Sequence, residues 1–197
     1  MNQKRIIFAS NNKSKIAEVK KILSDYELLS LSEIGFKDDI EENGMTLEEN
    51  AKIKASAVRV YALSKSLNLP VLADDTGLCV NALNGAPGVF SARYAGVYGD
   101  NDRNIAKVLK DLEDFSDRSA NFTCVMALID KNEKWIICEG KAEGKILTER
   151  KGTNGFGYDS IFYSYEASKT FAEISEEEKN KISHRAKALV KLKTMLK

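Results

Sequence analysis

The sequence predicts an α/β fold, because short apolar segments typical of strands alternate with amphipathic segments typical of helices. Residues 5–9 and 27–31 are predicted strands that flank a predicted helix at 14–23. A longer predicted helix, 46–67, leads into an apolar strand at 71–80. The chain has 197 residues, 43% of them hydrophobic, and it shows no repeats or linker. We therefore predict a single domain spanning residues 1–197.

Composition excludes several classes of protein. The formal net charge is +1, which argues against the broad basic surface of a nucleic-acid-binding protein. No apolar run approaches the roughly 20 residues of a membrane helix, and the first residues lack the pattern of a signal peptide. Cys79, Cys124 and Cys138 are widely spaced in apolar segments, as expected for buried reduced thiols. We expect a cytoplasmic protein that binds neither nucleic acid nor membrane.

The central segment is the predicted strand at 71–80, which carries two adjacent carboxylates, Asp74 and Asp75, followed by Gly77. Side chains alternate along a strand, so the two carboxylates should point to opposite sides. Charges beside a buried strand need compensation by a metal, by hydrogen bonds or by cations. A solvated turn is the alternative interpretation of an acidic pair before glycine.

A polar turn follows the first strand and leads directly into a helix. The first amides of a helix lack partners and its dipole is positive there, so this arrangement favours anion binding. Lys13 and Lys15 add positive charge. The turn has no glycine and no Walker A ending, and an ordinary Ser/Asn helix cap is an equally good interpretation of these residues alone.

An acidic segment, 38–44, precedes the long helix at 46–67. It could be a solvated loop. Thr46 and Glu49 have the spacing of a capping box. Four residues at helical spacing form the predicted buried stripe, namely Ala51, Ala55, Val58 and Ala62. Asn50 and Lys54 share another face, from which Lys54 could reach a polyphosphate held near Glu41.

The second half of the chain predicts further structural elements. A turn-rich loop at 84–88 leads to Arg93, a second candidate for anion contact. Residues 102–112 are predicted to be helical. Residues 121–130 and 135–144 are predicted to form an antiparallel pair of strands with a structural role.

A glycine-rich loop, 152–159, contains Phe156, Tyr158 and Asp159. Glycine permits a close approach of backbone to ligand, and aromatic rings can stack on a base. A β-turn that packs Phe156 into the core is the alternative. A capping box at 175–178 opens a short helix containing Lys179, and residues 183–185 begin the C-terminal helix. His184, the single histidine, suits either a structural role or, beside Arg185, ligand recognition.

Taken together, these segments resemble the inosine-triphosphatase-like family of nucleoside triphosphate pyrophosphatases, which hydrolyse non-canonical purine nucleotides such as ITP, dITP and XTP. The resemblance covers nearly the whole chain and depends on the order and spacing of the motifs. The motifs are 10–15, 41–44, 49–51 with Lys54, 73–78, 85–88 with 91–94, 155–159, and Lys179 with 183–185.

The resemblance implies a long mixed β-sheet flanked by helices, two lobes around a central cleft, a homodimer and Mg²⁺. By position, Glu41 and Asp75 would associate with the metal, and Asp75 would also be the general base. The implied substrate contacts are Ser10, Asn11, Asn12, Lys13, Ser14, Lys15, Lys54, Thr76, Phe156, Gly157, Tyr158, Asp159, Lys179, His184 and Arg185. The implied reaction is water attack on the α-phosphate, which releases a nucleoside monophosphate and pyrophosphate and cleanses the nucleotide pool.

Two positions depart from the family pattern. Asn11 stands where the family often has glycine, and a side chain there could crowd a phosphate. Thr76 stands where the family often has serine, which keeps the hydroxyl. Donors from Arg185 and His184 would match the carbonyl at purine position 6 and mismatch the amino group of adenine.

Three other functions compete with this interpretation. An aspartyl-phosphate phosphatase would use one aspartate as nucleophile, but the adjacent pair lacks the Asp-x-Asp-x-Thr arrangement. A non-catalytic nucleotide- or RNA-binding regulator would stack bases on Phe156 and Tyr158. A pyrophosphatase for modified pyrimidine nucleotides is the closest rival in substrate.

Overall fold

The computed structural model of the chain describes residues 4–196. The strands are β1 (Lys4–Phe8), β2 (Tyr26–Ser30), β3 (Val71–Val80), β4 (Ser119–Ile129), β5 (Trp135–Ile146), β6 (Phe162–Ser164) and β7 (Lys169–Thr170). The α-helices are α1 (Lys13–Ile22), α2 (Leu47–Ser64), α3 (Asn101–Asp111), α4 (Glu176–Ile182) and α5 (His184–Met195). Three short 3₁₀ helices lie at Asn81–Leu83, Gly88–Arg93 and Gly157–Ser160.

The strands form one mixed sheet with the order β2-β1-β3-β4-β5-β6-β7. β1 pairs in parallel with both β2 and β3, with Ile7 opposite Leu29 and Val71. β6 is antiparallel to β5 and to β7. The α/β class and the long mixed sheet predicted for this chain are therefore confirmed.

Two compact units divide the chain. The first contains the described parts of 1–75, 125–139 and 188–197, and its core joins β1, β3 and α2 through residues including Ile7, Val71, Ala73, Ala55 and Val58. The second contains 76–124 and 140–187, and its core includes Leu78, Val108, Phe122, Phe162 and Phe171. The single domain and the cleft between two lobes stay predictions.

The two faces of β3 explain the different surroundings of its carboxylates. Val71 and Ala73 pack on the small residues Ala55, Val58 and Ala62 of α2, which confirms the predicted stripe. Asp75 continues that face of the strand, whereas Asp74 lies on the other face. Crossovers between parallel strands are right-handed, and β2 and β3 flank β1 on either side, so α1 and α2 cover opposite faces. Each carboxylate thus meets a different helix.

Side-chain caps begin the helices near the site. Asn12 Oδ1 accepts from the backbone N–H of Lys15 at the start of α1. Thr46 caps α2, but Glu49 accepts from the N–H of Met45, so the reciprocal half of the predicted capping box is wrong there. Both halves are present where Ser175 and Glu178 begin α4.

Helix lengths and composition bear on the membrane prediction. Among residues 4–196, no helix combines the length and the apolar character that crossing a bilayer requires.

Candidate active site

Asp75 lies at the centre of a polar cluster built by β3, α2 and the loop before α2. Lys54 Nζ donates to Asp75 Oδ1 at 3.0 Å and to Glu42 Oε2 at 2.8 Å. Asn50, one turn earlier on α2, places its Nδ2 3.4 Å from the other oxygen of Asp75. Helical spacing of four residues brings Asn50 and Lys54 to the same carboxylate.

Asp74 forms a separate ion pair with α1. Its carboxylate is 2% exposed and accepts from Lys15 Nζ at 3.0 and 3.1 Å. Lys15 belongs to the first turn of α1, directly after the polar loop at 10–12. The ion pair therefore ties the candidate phosphate loop to the strand that carries Asp75.

The electrostatics of the cluster follow from burial and from an excess of carboxylates. Burial raises the pKa of Asp75; Lys54 opposes this effect, and Glu42 and Asp74 add to it. Burial alone would lower the pKa of Lys54, but Asp75, Asp74 and Glu42 outweigh it and hold that pKa above its ordinary value. Lys54 is therefore firmly cationic, while Asp75 accepts a proton more readily than an ordinary aspartate.

Glu42 is a member of this cluster that sequence reasoning missed. Glu41 was the predicted metal-associated residue, and its side chain is exposed, whereas Glu42 is half-buried against Lys54. Ile40 packs against the core of the first unit. If side chains alternate along residues 40–42 and Ile40 points inward, Glu42 also points inward and Glu41 points outward. This pattern would have indicated Glu42 rather than Glu41. The role of Glu41 in metal binding stays a prediction.

The polar loop before α1 is organised by its own side chains. Ser10 Oγ accepts from the N–H of Asn12, and Asn12 caps the helix. Asn11 Oδ1 accepts from the N–H of Ser32 at 3.0 Å, so this side chain is directed toward the turn after β2. Lys13 and Ser14 lie exposed in the first turn of α1. The predicted loop and helix start are present, and the contacts of these residues with phosphate stay predictions.

The donor set suits a hard divalent cation. Three carboxylates, Asp74, Asp75 and Glu42, lie beside the ammonium groups of Lys15 and Lys54. Thr76 Oγ1 is buried and makes no hydrogen bond within residues 4–196. No group of three or more His, Cys, Asp or Glu with metal-binding geometry occurs in that part of the chain. Mg²⁺ usually needs only one or two protein carboxylates and keeps several waters, so the residues fit this ion.

Asp159 organises a second group of candidate residues, within the second unit. Its carboxylate is 3% exposed and accepts from the N–H of Phe156 at 2.9 Å and from Lys179 Nζ at 2.5 Å. The ammonium of Lys179 lies 5.2 Å from the ring centres of Phe156 and Phe171. Phe156 is 52% exposed, so the alternative that packs it into the core is wrong.

The other predicted base contacts, Tyr158, His184 and Arg185, are buried in the second unit. Tyr158 donates to the carbonyl of Ser91, and burial raises the pKa of its phenol well above the ordinary value. His184 begins α5 and stacks on Phe122 with ring centres 4.9 Å apart. His184 and Arg185 are 4% and 6% exposed. Arg93, the second anion candidate, lies over the ring of Phe90.

The family model of the Ham1 family matches residues 6–195 of this chain. The chain belongs to the Ham1 family. The resemblance found in the motifs is thereby confirmed over nearly the full length. A dITP/XTP pyrophosphatase from Clostridium perfringens is 52% identical over 200 residues, covering 98% of each chain. A dITP/XTP pyrophosphatase from Bacillus subtilis is 47% identical over 197 residues, covering 98% of this chain and 97% of the relative.

Solved structures of Ham1 proteins agree with the fold. A HAM1 protein from Coxiella burnetii matches with a TM-score of 0.87 at 48% identity, covering 98% of each chain. The Ham1 protein of Staphylococcus aureus matches with the same TM-score at 44% identity and the same coverage.

A cavity of about 350 Å³ borders the glycine-rich loop of this Ham1 protein. Its lining combines residues 152–157 with Asn101, Asp102 and Arg150. Arg150 Nη1 donates to Asp102 Oδ1 at 2.7 Å, which links the chain before the loop to the start of α3. The loop that carries Phe156 is thus held by Asp159 and borders this cavity, which Asp159 also lines.

Proposed function

We propose that this Ham1 protein hydrolyses non-canonical purine nucleoside triphosphates, namely ITP, dITP and XTP, to the monophosphate and pyrophosphate. The names of its relatives in Clostridium perfringens and Bacillus subtilis support this activity. The observation that carries the proposal is the buried carboxylate of Asp75 beside Lys54 and one residue from the Lys15–Asp74 pair. A carboxylate that can accept a proton, close to cations that suit a polyphosphate, supports hydrolysis of such a substrate.

Mg²⁺ is the cofactor we assign to the carboxylate cluster. Asp75 and Glu42 would hold it, with Glu41 retained from the family resemblance. When bound, this ion neutralises phosphate charge and polarises the phosphoryl group toward attack. The approach of two carboxylates, Asp75 and Glu42, to the same ammonium group supports this assignment.

Asp75 would act as the general base that takes a proton from the attacking water. Its raised pKa brings it closer to the range in which proton transfer is efficient, since the best catalytic pKa lies near the working pH. Lys54 favours the ionised form of Asp75, because it donates to one of its oxygens. Asp74 lies on the other face and is occupied by Lys15, which leaves Asp75 as the base.

Phosphate binding would fall to the loop at 10–12, the first turn of α1, and the ammonium groups of Lys15 and Lys54. The free amides at the helix start and these cations suit the β- and γ-phosphates and the departing pyrophosphate. Asn11 would support this loop from the side of Ser32. Its side chain is directed toward Ser32 by that bond, which supports a place for it outside the phosphate site.

Base recognition would use Phe156 for stacking, and Arg185 and His184 as donors to the carbonyl at purine position 6. Lys179, Asp159, Tyr158 and Gly157 would shape this pocket. A site that relies on such hydrogen bonds can reject the wrong partner by about 10⁴–10⁵-fold, because mismatched polar groups are left buried and unpaired. This would exclude ATP. We further propose a single domain, a homodimer and a cytoplasmic location.

One assay tests the proposed function. The purified protein is incubated with Mg²⁺ and, separately, ITP, XTP, dITP, GTP, ATP and modified pyrimidine triphosphates, and pyrophosphate and orthophosphate are measured independently. We expect pyrophosphate from the first three. Orthophosphate as the first product, preference for a pyrimidine, or nucleotide binding without hydrolysis would each contradict the proposal.

A further inference from the structure

Asn50 connects Asp75 to the acidic loop before α2. Its side chain is completely buried. Oδ1 accepts from the backbone N–H of Gly44 at 2.8 Å, and Nδ2 lies 3.4 Å from Asp75 Oδ2. We infer that Asn50 is a positioning residue that holds Asp75 and the loop carrying Glu42 in one fixed geometry. This inference rests on the proposed function, in which Asp75 is the base.

Asn50 and Lys54 together hold the carboxylate of Asp75 and the loop before α2. Lys54, four residues later on α2, contacts the other oxygen of Asp75 and also Glu42 in the loop. Each of these α2 side chains therefore contacts both β3 and the 42–44 segment. The carboxylate of Asp75 is held at both oxygens, so it has little freedom to rotate about its terminal bond.

The loop approaches Asn50 too closely for any side chain at position 44. A Cβ built on Gly44 would lie 2.7 Å from Asn50 Oδ1 and 2.8 Å from Glu49 Cβ. Gly44 is itself buried, so its N–H has no access to bulk water and depends on Asn50 for its hydrogen bond. The pairing of glycine and asparagine thus sets the distance between the loop and the helix.

The amide is the side chain that this position requires. Asn50 must donate to a carboxylate and accept from an N–H at the same time, and an amide does both without ionising. Leucine has similar volume and does neither. Aspartate keeps the acceptor for Gly44 but, when ionised, has no donor for Asp75.

Loss of this support should reduce turnover rather than substrate affinity. Displacement of a reacting group by about 1 Å can cost about 10²-fold in rate. We expect Asn50→Leu to lower kcat for dITP by about 10²-fold, with KM changed by less than about 3-fold. Asn50→Asp, which keeps the Gly44 contact, should lose a similar factor in kcat.

Asn104→Leu is the matched control. Asn104 is also an asparagine in a helix, is 1% exposed, and bonds through its side chain to the backbone of Ala95 and Ala92. It therefore reports the stability cost of removing a buried amide that bonds to backbone groups. We expect Asn104→Leu to lower the unfolding temperature. It should not show the selective loss of kcat, at nearly unchanged KM, that we expect for Asn50→Leu.

The decisive measurement is a double-mutant cycle in kcat for Asn50→Leu and Asp75→Asn. If Asn50 acts through Asp75, adding Asn50→Leu to Asp75→Asn should change kcat by less than about 3-fold. Fully additive losses, or a kcat loss equal to that of Asn104→Leu, would overturn the inference.

A second measurement separates this inference from the proposed function. Wild-type protein that releases no pyrophosphate from any purine triphosphate would remove the proposed function. The side-chain amide NMR signals of Asn50, recorded without nucleotide, should still shift in Asp75→Asn. Unchanged signals would show that the contact between the two side chains does not position Asp75.

Discussion

Lys54 Nζ lies 3.0 Å from Asp75 Oδ1, and the same ammonium also donates to Glu42 at 2.8 Å. One cation thus serves two carboxylates from separate segments, with Asp74 adding a third negative charge nearby. Burial raises the pKa of Asp75, and Glu42 and Asp74 add to that rise. The three carboxylates raise the pKa of Lys54 against the effect of burial. This arrangement also brings carboxylate oxygens, the ligands that hard divalent cations take, close together.

Replacing Lys54 with methionine should destabilise the protein and make its stability depend on Mg²⁺. Removing one partner of a buried ion pair leaves uncompensated charge, so we expect a loss of about 3 kcal/mol in the free energy of unfolding. Millimolar Mg²⁺ should raise the unfolding temperature of Lys54→Met more than that of wild type, because ligand binding stabilises the folded state. Thermal unfolding with and without Mg²⁺ checks both effects.

Lys52→Met is the control on the same helix. Lys52 pairs with Glu48 at the surface, where both side chains are at least 40% exposed, and it lies near the ring of Trp135. Such contacts contribute little, so the loss should stay below about 1 kcal/mol and should not respond to Mg²⁺. Equal Mg²⁺ responses in the two variants would argue against a metal site at Asp75.

Asp75→Asn should abolish most turnover while the nucleotide still binds. Asparagine nearly matches the shape of aspartate but cannot take a proton from water, and a general base typically contributes about 10²–10⁴-fold. Calorimetric binding of a non-hydrolysable triphosphate and pyrophosphate release would be measured on one preparation. Near-normal turnover would remove Asp75 from the role of base.

Local patterns were predictable from the sequence in the segments nearest the site. The polar turn and the start of α1 follow from Asn12 as an N-cap, and the stripe of α2 follows from small residues at helical spacing. The separation of Asp74 and Asp75 follows from strand alternation. Each of these depends on a few neighbouring residues, which is the range over which propensity and periodicity apply.

Contacts over long sequence separations were not predictable. The choice of Glu42 over Glu41 is decided by Lys54, twelve residues away on α2. The hydrogen bond from the N–H of Ser32 to the side chain of Asn11 joins residues 21 apart, and no local sequence pattern predicts it. β6 and β7 are three and two residues long, too short for a periodic signal, and β6 pairs with the edge of β5 while β7 pairs with β6.

Tyr94→Phe should destabilise the protein near neutral pH and have little effect in acid. Burial raises the pKa of Asp111, but hydrogen bonds from Tyr94 at 2.6 Å and from Lys107 outweigh it and hold that pKa below its ordinary value. Stability from Asp111 is therefore present above the unfolded pKa of about 3.9 and is lost as pH falls through the lower folded value. We expect a loss of about 1–2 kcal/mol near neutrality that shrinks below about pH 3.

Urea unfolding at both pH values checks this effect. Tyr163→Phe is the control, since it removes a hydroxyl from β6 and keeps the ring that lies beside Lys145. A Tyr94→Phe loss that is independent of pH would show that the bond to Asp111 does not cause it.

Arg185→Ala should reduce the preference for ITP over ATP. If Arg185 donates to the carbonyl at purine position 6, its removal takes away the interaction that ATP cannot make. The ratio of kcat/KM for the two nucleotides is the measurement. Lys187→Ala, two residues later on α5, removes a partly exposed cation paired with Glu166 and should leave the ratio unchanged. An unaltered ratio in Arg185→Ala would refute the assignment.

Gly155→Ala should disturb the loop that carries Phe156. The disturbance should exceed the backbone strain that any non-glycine residue has at a positive φ. Gly155 has φ +75°, and an added Cβ would collide with the carboxylate of Asp159, which accepts from Phe156 and Lys179. Gly99 has φ +77° with no atom within 4 Å of an added Cβ, so Gly99→Ala experiences the backbone strain alone, about 1–2 kcal/mol. We expect a larger fall in stability and a several-fold higher KM for dITP in Gly155→Ala. Unfolding and steady-state kinetics measured on both variants test this, and equal effects would mean that Asp159 does not hold the loop.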